Sequence, residues 1–281
     1  MNNKLEFYLI CKDHTVSREK FELYKDEEHD MLMTLPKPSS DTLGKYYESE
    51  DYISHTDAKR TVFENLYHIV KKYSLRKKVR LISGLHQSSG ALLDLGAGTG
   101  DFLIEAKRKN WKVVGVEPND QAKVLAKNKG IVLESDTSTL PDNNFDVITM
   151  WHVLEHVPDV HLQIKELKRL LKPNGYLIIA VPNFKSYDAE YYKSYWAAYD
   201  VPRHLWHFSR EAIKSLFEKE KIQLQKTKPL IFDSFYVSLL SEKYKNGKMN
   251  FLRAFWVGLI SNLKGIRSKQ YSSHIYILKN K

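Results

Sequence analysis

The chain has 281 residues, 42% of them hydrophobic and 28% charged, an ordinary globular composition that excludes a disordered, collagen-like or coiled-coil protein. Its net charge is +10, but only ten of its 44 basic residues are arginine, the side chain suited to bidentate phosphate or guanine recognition, so nucleic acid is not an expected partner. One cysteine, Cys11, excludes an internal disulfide framework, and no apolar run reaches the roughly 20 residues needed to span a bilayer.

The first elements read as extended. Leu5 to Cys11, Lys20 to Tyr24 and Met31 to Leu35 are short β-like runs that end at Pro36 and Pro38, which predicts a small antiparallel cap over residues 1–56. The first run contains Glu6 and lacks a small-residue cleavage site, so it does not read as a signal peptide, and a cytoplasmic protein is expected. An aromatic, acidic stretch with Tyr46, Tyr47, Tyr52 and His55 offers either a lid or a plain cap contact. It leads into a helix near Asp57, with Val62, Leu66, Val70 and Tyr73 along one stripe. Residues 57–90 form this helical connection, closed by small polar residues from Gly84 to Gly90.

From Ala91 strands alternate with helices, the pattern of a parallel sheet with crossovers. The expected strands are Leu92 to Leu95, Lys112 to Val116, Ile131 to Leu133, Phe145 to Met150 and Tyr176 to Val181. Val160, Ile164, Leu167 and Leu171 mark a helix face, stopped by Lys172-Pro173-Asn174-Gly175, where glycine permits a left-handed turn. An aromatic insertion, residues 184–208, precedes a helix from Arg210 to Lys219. Strands at Ile222 to Lys226 and Ser273 to Leu278 finish the sheet, so residues 91–281 form one α/β Rossmann-like unit.

The most informative stretch is Asp94-Leu95-Gly96-Ala97-Gly98-Thr99-Gly100-Asp101, a strand entering a glycine-rich turn and then a helix. Glycine permits positive φ and close backbone approach to a ligand, and the helix that follows presents unpaired N–H groups. A dinucleotide fingerprint needs glycine at position 101, where Asp101 stands. The second strand ends at Glu117, followed by Pro118, which sets a carboxylate where ribose hydroxyls can donate to it.

On these residues the chain resembles the class I S-adenosylmethionine-dependent methyltransferases, from Ala91 to Val181. The resemblance implies that Asp94, Gly96, Ala97, Gly98 and Gly100 lie against the methionine part of S-adenosylmethionine and that Glu117 holds its ribose. Ser135-Asp136-Thr137 followed by Phe145-Asp146-Val147-Ile148 matches the third-strand loop and fourth strand, with Asp136 toward the adenine amino group. Trp151-His152-Val153-Leu154-Glu155-His156-Val157 is similar to the segment after the fourth strand in ubiquinone-biosynthesis O-methyltransferases. Asp200-Val201-Pro202-Arg203-His204-Leu205-Trp206-His207-Phe208 resembles a substrate-side signature of uncharacterised bacterial relatives. Many of those open with paired cysteines like a zinc ribbon; this chain has Cys11 with His14, so no metal is expected.

His152-Val153-Leu154-Glu155-His156 also spells an inverted zinc-peptidase motif, but it follows directly on a sheet strand at the ligand-facing end, the wrong context. His156 is expected to brace the turn, and His152 or Trp151 to face the cofactor. Methyl transfer to a hydroxyl needs a proton acceptor, which directs attention to His204 and His152. Substrate contacts are expected from Asn183, Tyr199, Arg203 and His207, although Arg203 is equally placed for a structural salt bridge and Tyr191, Tyr192, Tyr195, Trp196 and Tyr199 for packing.

The expected function is methylation of a small molecule, at oxygen ahead of other atoms. Two alternatives stand beside it: a nucleic-acid methyltransferase using Lys71, Lys72, Arg76, Lys77, Lys78 and Arg80, and a non-catalytic binder of S-adenosylmethionine. Phe251 to Ile260, with nearby Arg253, Lys264, Arg267 and Lys269, reads as a basic amphipathic helix that either touches anionic lipid or packs on its own domain.

Overall fold

The computed structural model describes residues 5–47, 62–86 and 89–281, with side chains from 70 onward in the long helix that begins at Val62. The expected helix start near Asp57, the proposed lid residues Tyr52 and His55, and the Leu66 side chain therefore lie outside the described residues. The described residues form two sheets. The smaller is antiparallel, in the order β1 (Leu5–Lys12), β2 (Lys20–Asp26), β3 (Met31–Leu35), β8 (Trp206–Phe208). Its last strand comes from the insertion and pairs Leu32 with His207.

The larger sheet runs in the order β5 (Lys112–Val116), β4 (Ala91–Leu95), β6 (Phe145–Trp151), β7 (Leu171–Pro182), β10 (Ser273–Asn280), β9 (Ile222–Pro229). The first four strands are parallel, and β10 is antiparallel to both neighbours. The central strands are apolar almost throughout because helices cover both faces. Alternation along β4 sends Leu92 into one layer and Leu93 and Leu95 into the other. Leu92 meets α1 (Val62–Ser83), α2 (Asp101–Lys107) and α3 (Asp120–Asn128) through Ile82, Phe102, Leu103 and Ala126. Leu93 meets α4 (Val160–Leu170) and α6 (Arg210–Lys219) through Ile164, Leu167, Ile213 and Phe217. The insertion holds α5 (Tyr187–Tyr192), and α7 (Asp233–Asn246) and α8 (Phe251–Ser268) lie between β9 and β10.

Three local expectations are corrected. Ile131 to Leu133 is not a strand: the backbone touches the sheet through a bridge from Val116 to Glu134, while Ile131 and Leu133 plug the core and Val132 faces out. Three apolar residues with pairing on one side are too few to extend the ladder. In the turn at 172–175 the left-handed residue is Asn174, at φ 63°. Gly175 serves space instead, since a Cβ there would lie 2.8 Å from Leu171 Cδ1. The buried stripe of α1 runs through Leu75, Val79 and Ile82, and Tyr73 faces out, edge-on to Phe232. Helical spacing gave the period of this stripe but not its phase.

Candidate cofactor crevice

The glycine turn sits at the C-terminal end of β4, where ligands bind in open α/β sheets. Gly96, Gly98 and Gly100 have φ of 68°, 53° and 75°, the left-handed region closed to most side chains. Gly96 and Ala97 N–H both donate to Val116 O, at 2.8 and 3.0 Å, which ties the turn to β5. Glu117, the next residue on that strand, is buried; its Oε2 accepts from Gly98 N at 2.8 Å and its Oε1 from Asn119 N at 3.0 Å. A carboxylate has about four acceptor sites, so each oxygen keeps capacity for one more donor. Pro118 follows on the surface, and Asn119 caps α3 by accepting from Ala122 N.

Asp94 lies beneath the turn. It accepts a 2.6 Å bond from Thr149 Oγ1 on β6, and burial pushes its carboxyl up to about 7. Lys78 reaches the same place from α1: its Nζ stands 4.3 Å from the Trp151 ring centroid, and burial lowers its pKa against the pull of Asp94 and Asp233. Trp151 ends β6 and packs edge-on against Phe102, while its Nε1–H is buried without an acceptor. Asp136 is exposed two residues beyond the Glu134 bridge and accepts from Ser138 N at 2.8 Å. The Thr137 backbone carbonyl accepts from Leu140 N and from Arg169 Nη2. Asp101, which stands where a dinucleotide fingerprint needs glycine, is bonded at 2.7 Å by both Lys71 and Lys129. Lysines distant in sequence thus neutralise it, a pairing the local motif does not reveal.

His152, at φ 58°, follows Trp151 with its ring between two carboxylates. Its Nε2 is 3.2 Å from Asp233 Oδ2 and its Nδ1 3.4 Å from Glu155 Oε1. Burial opposes a charged ring here, but the two carboxylates prevail and raise its pKa to about 10. Held between these carboxylates, the ring favours its protonated, donating form over the proton-accepting form that a base needs. His156 braces the turn as expected, its Nδ1 within 3.0 Å of Tyr47 OH and Arg203 O, and burial holds its pKa down at about 4. His204 Nδ1 is 2.9 Å from Ala198 O and its ring meets His156 edge-on at 4.5 Å. Its Nδ1 is fixed on that carbonyl, and Nε2 lies 3.9 Å from Asp200 Oδ2. Donor atoms of Glu155, His156 and His204 come within 4.8 Å of one another.

The residues assigned to substrate are largely used by the fold. Arg203 Nη2 bonds Asp200 Oδ1 at 2.6 Å and Asp13 Oδ1 at 3.2 Å, Nε bonds Asp200 Oδ2 at 3.0 Å, and Nη1 bonds Tyr46 O at 2.9 Å. Most of its five N–H donors are thereby engaged within the fold. Asn183 Nδ2 bonds Gln270 Oε1 and Tyr271 O, which locks the end of β7 to the turn before β10. Tyr192, Trp196 and Tyr199 are buried in a core that the insertion shares with Cys11, Phe21, Leu23 and Leu32 of the antiparallel sheet and with Val237 and Val257 of α7 and α8, whereas Tyr191 and Tyr195 face out. His207 is buried 3.0 Å from Thr34 Oγ1, and burial holds its pKa well below the ordinary imidazole range. Cys11 is buried with its thiol pushed up, and His14 stacks on Tyr244 at 4.6 Å.

Thr149 and Asp233 were not singled out from sequence as site residues, and Lys78 was named only within the basic run offered to a nucleic acid. Thr149 pairs with Asp94 across the sheet in register, a signal available only once strand order is known. Asp233 carries no motif.

A family description, methyltransferase domain, matches residues 67–224, more than half of the chain. A demethylmenaquinone methyltransferase from Staphylococcus aureus is 32% identical over 135 residues, 42% of this chain and 56% of that protein; the chain thus spans little more than half the length of the curated relatives it matches. Among solved structures, a possible histamine N-methyltransferase from Thermotoga maritima aligns at TM-score 0.51 and 19% identity, over 78% of this chain and 96% of that one. A geranyl diphosphate C-methyltransferase from Streptomyces coelicolor, solved with S-adenosyl-L-homocysteine, aligns at TM-score 0.53 and 13% identity over 81% and 89%. These structures share the fold. The left-handed glycine turn, open space within 4 Å of where a Gly98 Cβ would stand, the spare acceptor capacity of Glu117 and the orphaned Trp151 N–H suit the nucleoside cofactor of that fold. Motif order, sheet topology and family match together identify the chain as a member of the class I S-adenosylmethionine-dependent methyltransferases.

Proposed function

We propose that this chain transfers a methyl group from S-adenosylmethionine to an oxygen of a small molecule in the cytoplasm. The observation that carries the reading is the Gly98–Glu117 bond, which sets a carboxylate with unused acceptor sites beside a turn left open by glycine. Glu117 would take the ribose hydroxyls, the open backbone of the Gly96–Gly100 turn would lie against the methionine end, and Asp136 and Thr137 would meet the adenine. When bound, S-adenosylmethionine supplies a methyl group activated by positive sulfur, which departs as a neutral thioether. The chain must then exclude water, align the acceptor and remove its proton. His204 is the residue for that last task, because its Nδ1 is fixed on Ala198 O and its Nε2 would accept. His152, Arg203 and Asn183 act as positioning residues. The relative named for demethylmenaquinone supports a small acceptor, and the cap of residues 1–56 with the insertion 184–208 would form its wall. Incubation with isotopically labelled S-adenosylmethionine and a metabolite extract tests the reading: a small molecule should gain one methyl on oxygen, and label confined to RNA or absent would refute it.

A further inference from the structure

α8 is turned inside out relative to an ordinary surface helix. Its buried face carries small or slender residues, Ala254, Val257, Gly258, Ser261 and Gly265. Gly258 packs so closely on α7 that a Cβ would lie 2.8 Å from the Phe235 ring. Its outer face carries Leu252, Phe255, Trp256, Leu263 and Ile266, each more than half exposed. Burying the small side and exposing the large one forfeits apolar burial unless something else covers that face.

The charge around it indicates what does. α8 and its C-cap carry Arg253, Lys264, Arg267 and Lys269 and no aspartate or glutamate, so the helix itself is purely cationic. Arg253 and Arg267 stand on exposed positions of α8 itself. We propose that the outer face of α8 docks on an anionic lipid bilayer, its leucines, isoleucine and aromatics entering the acyl boundary and its cations meeting headgroup phosphates. A second copy suits the face less well, because a two-fold contact would bring the same uncompensated cations into opposition. No helix among the described residues is long and apolar enough to cross a membrane, so the contact is peripheral. The surface also adjoins the crevice: Asp233, which opens α7, is the residue paired with His152, and exposed Phe232 precedes it. The proposal concerns the lipid surface alone and stands whether or not the crevice carries out methyl transfer.

The test is flotation of the full chain with phosphatidylcholine vesicles containing about 30% phosphatidylglycerol, against phosphatidylcholine alone. The chain should float with the anionic vesicles, lose at least about tenfold in binding as salt rises, and show Trp256 emission moving to the blue. L252Q/W256Q and R253E/R267E should each weaken binding about tenfold while keeping the wild-type melting temperature, since all four side chains are exposed. Absence of flotation with anionic vesicles at low salt would overturn the proposal. So would a soluble dimer that L252Q/W256Q dissociates, with vesicle binding unchanged.

Discussion

Gly98 N–H and the Glu117 carboxylate stand 2.8 Å apart across the mouth of two neighbouring strands. One side chain thus shapes the turn and keeps acceptor sites unused, which the proposed function assigns to the ribose. Glu117→Ala should weaken S-adenosylhomocysteine by about 100-fold in calorimetry, the loss of two hydrogen bonds to a charged group at roughly 1.5 kcal/mol each. Glu117→Gln should fall between. Undiminished affinity in the alanine variant would remove the ribose role.

Two glycines of the same turn should fail in different ways. A Cβ at Gly96 would lie 2.3 Å from Val153 Cγ2 at φ 68°, so Gly96→Ala should destabilise the fold by about 2–4 kcal/mol, with partial rescue by Val153→Ala. A Cβ at Gly98 meets nothing within 4 Å. Gly98→Ala should cost about 1 kcal/mol of backbone strain yet lose cofactor binding. Urea unfolding and calorimetry read the two effects separately, and equal loss of stability in both variants would contradict this account.

His152 makes stability depend on pH. Its folded-state pKa is raised to about 10, above an unfolded value near 6.5. The favourable contribution is therefore full below about pH 6.5 and declines as pH rises, gone above about 10. Partial exposure of the ring and screening by solvent limit it to the order of 1 kcal/mol. Asp233→Asn should lower the imidazole pKa by at least about one unit in a histidine NMR titration and flatten melting temperature against pH between 7 and 10. Parallel profiles for variant and wild type would show the pair to be energetically silent.

Asp188 ties three elements together. Its carboxylate accepts from Trp196 Nε1 at 2.8 Å, Ser261 Oγ at 2.6 Å and Ser272 Oγ at 2.7 Å, all buried. Asp188→Ala leaves three donors without an acceptor, and a loss of about 3–5 kcal/mol is expected in denaturant titration. A change below 1 kcal/mol would mean that water replaces the carboxylate.

His204→Gln should leave S-adenosylhomocysteine affinity unchanged and lower turnover of the acceptor by about 100-fold or more, the usual contribution of a general base. A matching loss of cofactor affinity would reassign His204 to binding.

Local patterning made the parallel sheet legible. Short apolar runs, glycine punctuation and the 3.6-residue period of Val160, Ile164 and Leu167 are properties of neighbouring residues, and those elements form within a few residues of expectation. Glu117 was legible for the same reason, as the acid closing a strand beside a glycine turn. Partners fixed by tertiary approach were not. Lys78 and Asp233 reach the crevice from helices flanking opposite ends of the sheet sequence, and Arg203 is satisfied by Asp13, 190 residues away. Contacts of that kind leave no spacing to read. The histidines illustrate the limit: sequence offered His152 and His207 as site residues, but the carboxylates around the one and the burial of the other come from tertiary approach.

The antiparallel sheet is closed by β8, whose residues follow its third strand only after the parallel core has been traversed. During synthesis the first three strands therefore leave the ribosome with one backbone edge unsatisfied, and that edge must wait some 170 residues for Trp206, His207 and Phe208 to emerge. Nascent chains stalled before that point should therefore offer the β3 margin to chaperones, and those stalled after it should bind them less.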